Sequence, residues 1–104
     1  MIKHIVLLGI QESTPREQIN DMFHALKNLQ QTIPQIRSFT WGANNSPEEL
    51  NRGYNYGFTM GFNTIEERNY YLTHPDHVRV ADKLVLPILI DGVNSALAFD
   101  YEEK

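Results

Sequence analysis

The chain has 104 residues, a net charge of −4 and no cysteine. A length of this order suits one domain with a single modest core, here residues 1–104. The composition excludes thiol catalysis, disulfides and cysteine-held zinc, and the lack of any basic run argues against nucleic acid or an anionic membrane as partner.

The opening "MIKHIVLLGI" is apolar on both parities and β-rich. Residues 2–10 therefore read as a strand, with His4, Val6 and Leu8 on one face and Ile5 and Leu7 on the other. The block is too short and lacks the small-residue cleavage site of a signal peptide, and no run is long enough to span a bilayer, so we expect a cytoplasmic protein. Ser13-Thr14-Pro15 supplies a hydroxyl cap and a first-turn proline for a helix, with Glu17 near its positive end. Ile19, Met22, Phe23, Leu26, Leu29 and Ile33 recur at helical spacing as its apolar stripe; Pro34 ends it. His24 falls on the opposite, solvated face.

Residues 36–42, "IRSFTWG", predict a second strand. In the polar stretch that follows, Ser46-Pro47-Glu48-Glu49 can start one helical turn. Residues 54–62, "YNYGFTMGF", alternate strictly and predict a third strand. Tyr54, Tyr56, Phe58, Met60 and Phe62 make a bulky face; Asn55, Gly57, Thr59 and Gly61 make a small one. Residues 64–73 and 75–90 predict two helical pieces broken at Thr73-His74-Pro75, with Tyr70 and Arg68 on a solvated edge. Asp91-Gly92 reads as a turn, and residues 93–100 as the last strand.

The order β-α-β-β-α-β is the ferredoxin-like split pattern, an α+β fold with a four-stranded antiparallel sheet. Helices on one side leave the other face of the sheet open. We expect that face to carry Ile5, Leu7, Phe39 or Trp41, Ala96 and Ala98. An apolar patch of this kind marks an association surface, and two-fold pairing, sheet to sheet, is the simplest closure.

The stretch "YYLTHPDHVRV" concentrates the chemistry. His74 precedes Pro75 and reads as a helix cap. His77 points inward if Val80 or Ala81 and Leu84 are buried. On the helix-covered face, His4 and Tyr56 look up toward Tyr71 and His77, so four polar-tipped rings converge in an apolar core. Such convergence is the usual form of a small-molecule site. Phe23, Phe58, Met60 and Leu84 would be its apolar walls. His74 and His77 lack an acidic partner at metal-binding spacing, so no metal is expected. "GYNYG" lacks the Lys-Ser/Thr of a phosphate loop.

"IKHIVLL", "IPQIRSFTWGANNSPEELNRGYNYGFTMGF" and "YLTHPDHVRVADKLVLPIL", with "ALAFDYE" at the end, together resemble the stress-responsive dimeric α/β-barrel (Dabb) domain family over essentially the whole chain. That resemblance implies a ferredoxin-like fold closed as a dimeric α+β barrel. It also implies cofactor-free chemistry of the kind carried out by members such as olivetolic acid cyclase, a polyketide cyclase. Its His–Tyr working pair matches His77 and Tyr71, and its first-strand pocket histidine matches His4. Its third-strand histidine falls on Tyr56, a departure. Chemically, a histidine near neutral pKa can take a proton alpha to a carbonyl. The phenol of Tyr71 can orient that histidine or donate to the developing enolate. The resulting expectation is a homodimer with a pocket for a small apolar or keto ligand and acid/base catalysis without a cofactor. The alternatives are a non-enzymatic, stress-associated structural protein and a cofactor-independent monooxygenase, the latter supported by architecture alone.

Overall fold

A computed structural model describes residues 1–104. Its chain order is β1 (Ile2–Leu8), α1 (Arg16–Thr32), β2 (Ser38–Ala43), β3 (Tyr56–Phe62), α2 (Ile65–Thr73), α3 (Pro75–Val80) and β4 (Ala96–Glu102). The strands form one antiparallel sheet in the order β2-β3-β1-β4. The fold is thus the ferredoxin-like α+β class that the alternating patterns predict. No helix is long and apolar enough to cross a membrane.

α1 lays the predicted stripe on the sheet: Ile19, Met22, Phe23, Leu26 and Leu29 are buried, and His24 is exposed. The helix starts differently from expectation. Pro15 itself occupies the cap position and no side chain caps the first turn. Ser46–Glu49 forms a turn without helix, and Glu49 and Arg52 both take left-handed backbone conformations. Beyond β1, Asn55 imitates a paired strand. Its side-chain oxygen accepts from the Ile10 N–H and its amide donates to the Ile10 carbonyl, both at 2.8 Å.

Strand register corrects the expected open face. Phe39 and Trp41 pair with Met60 and Phe58, so they lie on the helix side, where Trp41 stacks on Phe23 with ring centroids 4.2 Å apart. Ala96 and Ala98 pair with Leu8 and Val6 and also belong to the helix side. β4 is shifted toward the C-terminus because Gly92–Ser95 forms a 3₁₀ turn rather than strand. The open face instead carries Ile5, Leu7, Leu97, Phe99 and Tyr101, and Phe99 is 60% exposed. The small residues Gly57, Thr59 and Gly61 lie on that same face, paired with Leu7, Ile5 and Lys3.

The predicted helix over 75–90 also divides. α3 passes into a π-helical turn, Ala81–Val85, and then a 3₁₀ turn, Leu86–Ile88. Leu89 closes the segment by bridging Ile10. A π turn inserts one residue per turn. After Val80 the inward position therefore falls on Val85, and Leu84 turns out, 42% exposed. Leu84 is not a wall of the site.

Candidate functional site

The two helical pieces meet as the proline pattern predicts. His74 caps α3, its Nδ1 accepting from the Asp76 N–H at 3.1 Å. Thr64 caps α2 by accepting from the Glu67 N–H at 3.1 Å. The bend at His74 turns α3 back on α2, so that the rings of Tyr71 and His77 meet with centroids 4.3 Å apart. Tyr71 is 1% exposed and packs on Phe62, centroids 5.4 Å apart.

His77 is half-buried. Its Nδ1 lies 3.0 Å from the Leu72 carbonyl oxygen. A carbonyl cannot donate, so Nδ1 carries the hydrogen and Nε2 keeps its lone pair. Burial pushes the imidazole below its ordinary pKa, against the pull of the Leu72 carbonyl and nearby Asp82, while His4 and His74 add to the lowering. The ring is therefore neutral at physiological pH, the state a proton acceptor requires. Burial alone pushes the Tyr71 phenol well above its ordinary range, so it stays protonated and can donate.

His4 enters this group from β1. It is 5% exposed, and its ring lies edge-on to Tyr71 at 5.9 Å and to Phe58 at 6.2 Å. Its Nδ1 is 2.7 Å from Asp100 Oδ1, and Asp100 Oδ2 accepts from Arg68 at 2.9 Å. Sequence reasoning did not pick out Asp100 and set Arg68 on a solvated edge; Arg68 is instead largely covered, drawn in by its ion pair with Asp100. Asp100 shares the parity of Ala96 and Ala98, so assigning that parity to the open face also hid the residue opposite His4. The available signal was a lone acid within the apolar run "ALAFDY".

Tyr56 does not join the convergence. It pairs with Leu8, whereas His4 pairs with Met60. Four residues of strand separate the two positions, about 13 Å. Tyr56 belongs to a second aromatic group with Phe23 and Trp41, its ring 6.0 Å from Phe23. Phe58 touches both groups, 6.2 Å from His4 and 6.4 Å from Phe23. Met60 is fully buried beside His4. Three polar-tipped rings thus meet where four were expected.

The largest cleft, about 470 Å³, lies elsewhere, at the end of the open face between Leu7, Leu97, Leu50, Arg52 and Tyr54.

The helix face of this ferredoxin-like sheet thus carries a Tyr–His contact beside a carboxylate-bound histidine, in a small α+β domain. The model of the stress-responsive A/B barrel domain (Dabb) matches residues 2–103, and the chain belongs to that family. The crystal structure of At3g17210 from Arabidopsis thaliana superposes with a TM-score of 0.90 at 29% identity, covering 100% of this chain and 96% of that one. Olivetolic acid cyclase of Cannabis sativa is 26% identical over 81 residues, 78% of this chain and 80% of the cyclase. A dimeric ferredoxin-like protein of unknown function from Jannaschia sp. CCS1 matches with a TM-score of 0.86 at 24% identity, covering 98% of each chain.

Proposed function

We propose that this protein is a homodimer with a small-molecule site, and that Tyr71 and His77 carry out cofactor-free acid/base chemistry there on an enolisable carbonyl compound. The observation that carries the reading is the orientation of His77. Its Nδ1–H is held by the Leu72 carbonyl, its ring lies against Tyr71, and its Nε2 is left as the acceptor. In the proposed step, Nε2 takes a proton alpha to the carbonyl of the substrate. The Tyr71 hydroxyl donates a hydrogen bond to the enolate oxygen as charge builds there. The enolate carbon then attacks a second carbonyl, and the imidazolium returns its proton to the new alkoxide. Phe58, Met60 and Phe62 supply apolar surface around the group. Similarity to the plant cyclase supports this reaction class.

The open face supports the dimer. Ile5, Leu7, Leu97, Phe99 and Tyr101 form an apolar surface of the kind soluble monomers rarely leave bare. Gly57, Thr59 and Gly61 would let a second sheet approach it closely. The dimeric neighbour of the same fold supports the same assembly.

A second reading has its own observation. Tyr71 is almost fully enclosed, and the largest cleft does not include it. That packing suits a structural, non-catalytic dimer. The deciding assay incubates poly-β-keto thioesters and simpler 1,3-diketones with wild type, His77→Ala and Tyr71→Phe. Turnover in wild type, reduced roughly 10²–10⁴-fold in His77→Ala, supports catalysis. No turnover of any such substrate, together with stable higher oligomers, favours the structural reading.

A further inference from the structure

The most buried ionic contact in the fold lies beside the Tyr71–His77 pair and has no part in the chemistry proposed for it. Asp100 of β4 is shared between two partners. One oxygen meets His4 Nδ1 at 2.7 Å; the other accepts from Arg68 of α2 at 2.9 Å. The side chains of His4, Asp100 and Arg68 are 7%, 20% and 20% exposed. Arg68 is held from a second side by Asn69, whose oxygen accepts from its Nε at 3.0 Å.

We infer that Arg68 is a positioning residue: by balancing the charge of Asp100, it lets that carboxylate orient His4 through Nδ1–H while leaving Nε2 unprotonated, as an acceptor for an O–H group of an enol or phenol. The groups facing His4 can be named element by element. β3 presents only Phe58, Met60 and Phe62; β4 presents Asp100; α2 presents Arg68 and Tyr71; α3 presents His77 across the Tyr71 ring. The guanidinium and the carboxylate cancel, so a neutral imidazole leaves the cluster uncharged. With Arg68 removed, the only positive partner available to Asp100 is His4 itself. An opposite charge this close favours the protonated ring. Nε2 would then gain a hydrogen and change from acceptor to donor, and the position would take an anion in place of a neutral hydroxyl.

The ligand assignment rests on the functional reading of Tyr71 and His77, but the protonation state of His4 does not, so the two can fail separately. The test is a long-range ¹H–¹⁵N correlation of the histidine rings at pH 7 on the ¹⁵N-labelled chain as wild type, Arg68→Met and Arg68→Lys. Wild type should show His4 protonated on Nδ1 alone. Arg68→Met should show it protonated on both nitrogens. Arg68→Lys keeps the charge and should resemble wild type. Titrated with phenol and then benzoate, wild type should shift its His4 signals with phenol, and Arg68→Met with benzoate. A doubly protonated or Nε2-protonated His4 in wild type overturns the inference, as does an Arg68→Met spectrum unchanged from wild type. The reverse ligand preference overturns the ligand assignment. The expected spectra with no turnover of any enolisable substrate would overturn the catalytic reading and leave the role of Arg68 standing.

Discussion

At the residue scale, the two members of the proposed pair should respond to mutation differently. The Tyr71 phenol is raised by burial alone, with no hydrogen bond set against that cost. Removing a hydroxyl that has no internal partner loses little stability. Tyr71→Phe should therefore unfold in urea within about 1 kcal/mol of wild type, while any turnover falls by one to several orders of magnitude. His77 gives a pH signature. Its folded pKa is depressed by burial, so below the unfolded value near 6.5 the unfolded chain binds more protons than the native one. Stability is then fully present above about pH 6.5 and declines as pH falls toward the folded value. His77→Gln should flatten that part of the stability profile, below about pH 6.5. Wild-type turnover should fall as pH drops through the folded value, because the protonated ring cannot accept. An identical pH slope in wild type and His77→Gln would contradict the assigned burial. His24, exposed on α1, is the control, and His24→Ala should change stability by less than about 0.5 kcal/mol.

At the element scale, the π turn after α3 decides which side chains reach the core. A regular helix would carry the phase of Val80 on to Leu84. The inserted residue passes it to Val85. Val85→Ala should cost about 2 kcal/mol, from lost burial and the cavity left behind. Leu84→Ala should cost less than about 0.5 kcal/mol if the protein is assayed below its association range. The reverse order would mean that the helix is regular in solution. Asn55 offers a second check on element geometry. Its side chain satisfies both backbone groups of Ile10, and Ile10 is completely buried. Asn55→Ala should cost about 1–3 kcal/mol, because a buried N–H and C=O lose their partners, and amide exchange at Ile10 should accelerate. Asn55→Asp keeps only the acceptor and should fall between the two.

At the scale of the whole molecule, the proposed dimer makes the open sheet face the surface to test. Leu7 sits in its middle, paired with Gly57 on one side and Leu97 on the other. Leu7→Asp should bury an unpaired charge in a sheet-to-sheet dimer, at a cost of several kcal/mol. Sedimentation should show monomer or aggregate for the variant and dimer for wild type; a variant that remains a stable dimer would exclude this face as the interface. Phe99→Lys tests the same face from β4. Its side chain is already 60% exposed, so the folded monomer should tolerate the change and only association should weaken.

Local chemistry alone made the element order legible, because proline, cap residues and the two apolar periods act within a few residues of themselves. The α1 stripe, the break at His74-Pro75 and the helix-facing parity of His4, Phe58 and Met60 all follow from such signals. The closeness of Tyr71 and His77 follows too, since one bend brings neighbouring turns together. Tertiary structure decided what depends on register. β4, with Ala96 and Ala98 on one parity and Leu97 and Phe99 on the other, gives no local sign of which face is covered; β2 alternates Phe39, Trp41 and Ala43 with Ser38, Thr40 and Gly42, which marks an apolar parity but not the side on which the helices lie, and a one-residue difference in phase exchanges the two faces completely. Only pairing with β1 and β3 placed Phe39, Trp41, Ala96 and Ala98 under the helices and Phe99 on the open side. The same pairing set Asp100 opposite His4 and Tyr56 away from it. The π turn that moved Leu84 outward likewise goes with the burial of both Val80 and Val85 in the core, which no window of sequence contains.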